Sequence, residues 1–241
     1  MNERTNRHRP VAVVTGASQG LGLALAEALA ARGWALVVDA RRAARLDAAV
    51  ARLSPLTAVV GLTGDVNDPE HRRALAGAAA ELGRVELVVN NASTLGASPL
   101  RPLATITPEV LRDAFDTNVV APIALLQALD EVLTDDATIV NVTSDAAIEA
   151  YEGWGGYGAS KAALEHASRV LAVEQPGRRV LIVDPGDMRT EMHQDAFPGE
   201  DISDRPEPAM SVPGLLALIE SDVPSGRYEA RAFTPTETRQ P

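Results

Sequence analysis

The chain has 241 residues, 46% hydrophobic and only 3% aromatic, so aliphatic side chains must fill whatever core it builds. A formal net charge of −11 argues against a partner such as nucleic acid, whose phosphates call for a basic face. With no cysteine, disulfides, thiolate metal sites and a cysteine nucleophile are excluded, and no apolar run reaches the roughly 18–20 residues of a membrane span.

The first ten residues, MNERTNRHRP, are polar and lack the pattern of a signal peptide, so they are expected to be a disordered lead into a cytoplasmic protein. Short apolar, β-branched runs then predict strands at 11–15 (VAVVT), 35–39, 56–61, 85–90, 137–142 and 179–184. Between them, apolar residues at i, i+3, i+4 spacing predict helices over 20–32, 42–53, 69–82, 108–133 and 156–174. Strands that are apolar throughout are buried on both faces, as in a parallel sheet. The repeated β-α order therefore predicts a doubly wound α/β sheet, a three-layer Rossmann fold with helices on both sides. Residues 185–208 are rich in Pro, Gly and charge and predict a long loop over a site. A short helix (209–220), a last strand (226–233) and a loose tail (234–241) complete a single expected domain, 11–233.

Gly16, Gly20 and Gly22 fall where the first strand turns into the first helix, with Ser18, Gln19 and Leu21 between and beside them. Glycine there allows a sharp turn and lets a pyrophosphate approach the amides and the positive end of the helix. The spacing is TGxxxGxG, and further motifs follow in order: NNAS (90–93), TNVVAP (117–122), VTSDA (142–146), YGASK (157–161) and DPGDMRT (184–190). Over roughly residues 10–190 these resemble the single-domain branch of the short-chain dehydrogenase/reductase family.

That resemblance implies an oxidoreductase moving a hydride between a nicotinamide cofactor and a small carbonyl or alcohol. By the matching positions, Tyr157 is the general acid and base, Ser144 orients the substrate oxygen, and Lys161 lowers the tyrosine pKa and binds the nicotinamide ribose. Asn118 holds a water linking Lys161 to solvent. Asp65 and Val66 meet the adenine, while Asn91 and Ala92 lie along the cofactor and Asn90 ties neighbouring strands below it. Pro185, Gly186, Met188 and Thr190 shape the nicotinamide end. Ser93 departs from the glycine usual in that motif.

Lys161 is the only lysine among 22 basic residues, four positions after Tyr157. On a helix the two share a face. A nearby ammonium favours the phenolate and should bring a phenol of pKa ~10 closer to neutrality. Arginine supplies charge too, but not as a compact group able to hold ribose hydroxyls.

In relatives preferring NAD, an acidic residue ends the second strand. Counting from Thr15 puts Ala40 there, with Asp39 facing away and Arg41 and Arg42 next, where a 2′-phosphate would sit. This favours NADP, and a one-residue change of register would favour NAD. Candidate substrate contacts are Ser144, Asp145, Tyr151, Trp154, Met192 and His193, with Met188 and Phe197 beside them. Asp145, with Glu149, Glu152 and Glu191 nearby, suggests a polar, hydroxylated or cationic substrate. His193 has no neighbour at ligand spacing, so no metal is expected. His71 and His166 read as helix-surface or packing residues. The predicted helices 108–133 and 156–174 suit pairing into a homodimer or homotetramer. The alternative to an enzyme is a non-catalytic NADP-binding sensor on the same fold. A sugar epimerase of the extended branch would need a larger C-terminal domain.

Overall fold

The computed structural model describes residues 9–233; the expected lead and tail fall largely on residues 1–8 and wholly on 234–241, outside the described residues. Seven strands form one parallel sheet: β1 (Val11–Val14), β2 (Ala35–Ala40), β3 (Val59–Thr63), β4 (Val85–Asn90), β5 (Leu133–Val142), β6 (Arg179–Asp184) and β7 (Gly226–Glu229). Their order is β3-β2-β1-β4-β5-β6-β7, so the chain reverses direction across the sheet between β1 and β4. In such sheets ligands bind at that switch point, beyond the carboxyl ends of the strands.

The strand residues alternate between two cores because successive side chains face opposite ways. Ala12, Val14, Leu36 and Val38 pack with helices α1 (Gly20–Ala31), α2 (Ala43–Leu53) and α8 (Val212–Glu220). Val11, Val13, Ala35 and Val37 pack on the other side with α3 (Pro69–Leu82) and α5 (Ala121–Leu129). Each fully buried leucine, such as Leu25, Leu75 or Leu125, contributes roughly 1.5–3 kcal/mol. Helix α3 starts where Asp68 accepts from the Glu70 N–H, with Pro69 at its first position, and stops at Gly83.

The expected helix 108–133 is instead broken. Helix α4 (Pro108–Phe115), capped by Thr107, runs into a π-helical turn, Asp116–Val120, before α5 begins. A π turn carries one extra residue, and here it turns Thr117 and Asn118 into the interior. The chain leaves α5 at Leu129 and enters β5 at Leu133, four residues earlier than the apolar run suggested, because Leu133 pairs with Val85 on β4. Strand β3 begins later than expected, at Val59, because the Leu56 and Thr57 N–H groups turn back to the Leu53 carbonyl at the end of α2 and Leu56 is exposed. Strand β7 ends at Glu229, short of the expected 233.

Helix α6 (Gly155–Glu174) buries Tyr157, Lys161, Leu164, Glu165 and Ser168 along one face. The segment 185–208, expected as loop, contains helix α7 (Glu191–Ala196), capped by Thr190, whose side chain accepts from the His193 N–H. Among the described residues no helix is long and apolar enough to cross a membrane.

Candidate active site

The glycine loop is fixed from two sides. Asp39 is 1% exposed and its carboxylate accepts from the Gly16 N–H at 2.8 Å and pairs with His71 Nε2 at 3.0 Å. Asp39 therefore turns inward with both oxygens engaged, and Ala40, Arg41 and Arg42 follow in the expected register. His71 is no surface residue: it is buried, and the ring fits only because Gly64 has no Cβ, which would lie 2.2 Å from Nδ1. His166 is exposed, as expected.

From the other side, Asn91 donates to the carbonyls of Thr15 and Gly16 at 2.8 and 3.2 Å, and the Asn91 and Ala92 N–H groups donate to Thr15 Oγ1. Gly16 has φ +66° and Gly20 +57°, conformations that favour glycine. Gly22 serves packing rather than lining: a Cβ there would stand 2.5 Å from both Asn91 Nδ2 and the Gly16 carbonyl oxygen. Below, Asn90 Nδ2 donates to Asn141 Oδ1 at 2.7 Å, and Asn141 donates to Ser168 on α6. This is the tie between strands that the sequence suggested.

A cavity of about 880 Å³ opens over these strand ends. One end is lined by the glycine loop, Arg41, Arg42, Asp65 and Val66; the middle by Asn91, Ala92, Pro185, Gly186, Met188 and Thr190; the far end by Ser144, Tyr157 and Lys161. The structure thus brings the sequence-derived residues into one cleft, with four exceptions, the first being Phe197, which packs against Trp154 and His193 without lining it. Gly22 packs beneath it, Asn118 is fully buried behind it, and Tyr151 lies outside it with its hydroxyl on Asp145 Oδ2 at 2.9 Å.

Asn118 is saturated. Its Oδ1 accepts from Ser93 Oγ and the Thr94 N–H, both at 2.9 Å, and its Nδ2 donates to the Thr94 carbonyl and Ser160 Oγ. An amide has four such valences, so a water can be held only by its backbone carbonyl. Ser160 in turn donates to the Tyr157 carbonyl at 2.7 Å, so the π turn braces α6 at the tyrosine.

Lys161 is 2% exposed and donates to the Val142 carbonyl at 2.8 Å; its Nζ lies 5.6 Å from the centre of the Tyr157 ring. Burial lowers its pKa to about 8. Tyr157 departs from expectation: burial raises its pKa above the ordinary phenol value, opposed by hydrogen bonding with Ser144 and Ser93. Desolvation outweighs any help from the lysine, because both groups are withdrawn from water together. Ser93, the departure from the glycine of its motif, thus touches both Asn118 and the phenol.

Ser144 Oγ donates to Asp145 Oδ1 at 2.8 Å and caps a short 3-10 turn, accepting from the Ala146 N–H. The neighbouring wall is apolar: Trp154 meets Tyr157 edge-on at 5.7 Å and Phe197 at 5.9 Å, with Leu95, Leu100 and Met192 packed alongside. His193 stacks on Phe197 and accepts from Arg205. Among the described residues no group of three or more His, Cys, Asp or Glu is placed to hold a metal.

Glu191 is not part of the acidic substrate rim. Its carboxylate reaches Gln19, Arg42 and Arg45 at the opposite end of the cleft. Arg45 was missed in the sequence, although it lies one turn after Arg42 on α2 and so on the same face.

The short chain dehydrogenase family pattern matches residues 10–201. Sepiapterin reductase of Bos taurus is 32% identical over 201 residues, 77% of this chain and 75% of that protein. An uncharacterised oxidoreductase of Mycobacterium tuberculosis is 40% identical over 220 residues, 88% of this chain and 81% of that one. The Escherichia coli oxidoreductase yciK superposes with a TM-score of 0.84 at 30% identity, covering 92% of this chain and 95% of its own. A short chain dehydrogenase from Shigella flexneri, crystallised with NADP, superposes at 0.83 with 30% identity, covering 92% and 97%.

Proposed function

The chain belongs to the short-chain dehydrogenase family, and on that premise we propose that it is an NADP-dependent reductase of small carbonyl compounds, and the corresponding alcohol dehydrogenase in reverse. The observation that carries this reading is the sharing of one 880 Å³ cleft by the glycine loop, the arginines that follow β2, and Ser144, Tyr157 and Lys161.

The residues present fit such a cofactor. Gly16 and Gly20 line the cleft with no side chain at left-handed φ, leaving the loop backbone open to a pyrophosphate, and the buried ammonium of Lys161 spends one donor on the Val142 carbonyl, leaving N–H groups for a ribose diol. Of the residues lining the cleft, Arg41 and Arg42 would take a 2′-phosphate, Asp65 and Val66 would meet the adenine, and Pro185, Gly186 and Thr190 would meet the nicotinamide. When bound, the dihydronicotinamide supplies the hydride that adds to the substrate carbon.

The chain's own residues would manage the oxygen. Ser144 turns its hydroxyl from Asp145 to the carbonyl oxygen and holds it. Tyr157 donates its phenolic proton to that oxygen as the carbon is reduced, and the O–H bond broken on the phenol is re-formed on the alcohol. Burial raises the phenol's pKa, so it carries the proton it would donate. Proton recovery would run from solvent to Lys161 by way of the Asn118 backbone. Trp154 and Met192, with Phe197 packed behind Trp154, give the substrate an apolar seat and exclude water from the reacting carbon.

NADPH and NADH binding, followed by reduced-nicotinamide absorbance with a panel of aldehydes, ketones, diketones and polyols, tests this reading. NADPH bound more tightly than NADH, and consumed with at least one carbonyl, is the expected result. Preference for NADH would overturn the choice of cofactor. Tight binding without turnover across the panel would replace the reductase with a nucleotide sensor.

A further inference from the structure

Glu191 begins α7, on the lid side of the cleft, yet its carboxylate crosses to the opposite wall. It accepts from Gln19 Nε2 of the glycine loop at 2.7 Å, from an Arg42 amino group at 3.0 Å, and pairs with Arg45 on the first turn of α2. Arg45 also donates to the Gln19 side-chain oxygen. Donors from the glycine loop, the β2–α2 turn and α2 thus converge on one anion contributed from 146 to 172 residues away in the sequence.

We infer that Glu191 is a resident anion in the site proposed for the 2′-phosphate of NADP, and that it sets how strongly the protein distinguishes NADPH from NADH. This inference rests on the cleft being a nicotinamide cofactor site. Arg42 and Arg45 together carry two positive charges, and the carboxylate cancels one of them. A 2′-phosphate must take these guanidiniums from Glu191 or bind beside its negative charge. NADH, with a hydroxyl there, meets no such competition. Glu191 therefore weighs against NADPH alone.

The carboxylate is well suited to this role and not to a permanent lock. The hydrogen bonds from Arg45, Gln19 and Arg42 hold its pKa down to about 2, so it is charged at every working pH. The pairs remain solvent-exposed, with Arg42 at 61%, Arg45 at 43% and Glu191 at 38% side-chain exposure. Exposed pairs are weak and screened by salt, so a dianionic phosphate, which offers guanidinium more charge and more acceptors, can displace a carboxylate. A surface ion pair with no role would not have both its arginines at the mouth of the cleft or draw a third donor from the glycine loop.

The test is titration of NADPH and NADH into wild type and Glu191→Gln at low ionic strength, with thermal melting to verify that both proteins are folded. The variant is expected to bind NADPH about five- to tenfold more tightly and NADH within about twofold of wild type, with Glu191→Asp staying close to wild type. Unchanged NADPH affinity would reduce Glu191 to an ordinary surface pair. Weaker NADPH binding would mean that it holds the arginines in place for the phosphate; either result overturns the proposal. Wild type that prefers NADH, with NADPH binding gained in the variant, would support the proposal while overturning NADP as the native cofactor. A protein that binds neither nucleotide removes the cofactor reading and this inference with it.

Discussion

At the scale of residues, Lys161 shows what the site costs the fold. An ammonium 2% exposed, with one hydrogen bond to the Val142 carbonyl, is charged in a place that resists charge. Its pKa is about 8 in the folded protein, against 10.5 ordinarily. Between those values the unfolded chain binds more protons than the native one, so this group makes stability rise with pH from about 8 to about 10.5. Below pH 8 the penalty is fully present. Lys161→Met is therefore expected to stabilise the cofactor-free protein at pH 7 by up to about 3 kcal/mol and to abolish turnover. Melting temperatures of both proteins across pH 7–10.5 should converge as pH rises. A variant less stable than wild type at pH 7 would mean that the ammonium is better satisfied than its single hydrogen bond indicates. Tyr157, Ser144 and Lys161 were legible in the sequence because their spacing is local or fixed by successive strands. The partners of Asp39 and Glu191 were not: His71 and the Gln19–Arg42–Arg45 group meet them only through tertiary folding.

At the scale of elements, strand order and helix alternation were legible because apolar runs and 3.6-residue periodicity survive in single segments. The π turn at Asp116–Val120 was not, since periodicity across 108–133 is nearly continuous and the break is dictated by the need to aim Asn118 at Ser93, Thr94 and Ser160. Helix α7 was hidden for another reason: in a Pro- and Gly-rich stretch its six residues are too few to show a period. The join between α1 and the β4 turn can be tested at one atom. Gly22→Ala places a methyl 2.5 Å from the Gly16 carbonyl oxygen and from Asn91 Nδ2, and the first of these is backbone that must shift. The expected result is a loss of about 1–3 kcal/mol in stability together with at least about tenfold weaker NADPH binding, read by melting and titration. Wild-type affinity in that variant would show that the loop tolerates displacement.

At the scale of the whole molecule, the carboxyl ends of β1, β4, β5 and β6 meet beneath one cleft, and a buried charge network holds two of them together. Arg227 on β7 donates to Glu165 of α6 and Asp184 of β6, both at 3.0 Å, and Glu165 also accepts from Thr143 beside Ser144. Asp184 accepts from the Gly186 N–H, which fixes the turn after β6 that lines the cleft. Breaking such a network strands a buried charge, so the strand ends are held in fixed relation. The proposed function then divides the cleft: one end would bind nucleotide and the other would move the proton, so mutation should separate the two. Tyr157→Phe removes one oxygen at the far end and leaves the glycine loop, Arg42 and Lys161 in place. The decisive measurement is NADPH binding and NADPH oxidation by wild type and Tyr157→Phe in the presence of a carbonyl substrate found with the panel. The prediction is equal affinity for NADPH within about twofold and a fall in kcat of at least about 100-fold. Turnover near the wild-type rate in the phenylalanine variant would contradict the assignment of Tyr157 as proton donor and with it the mechanism proposed for this cleft.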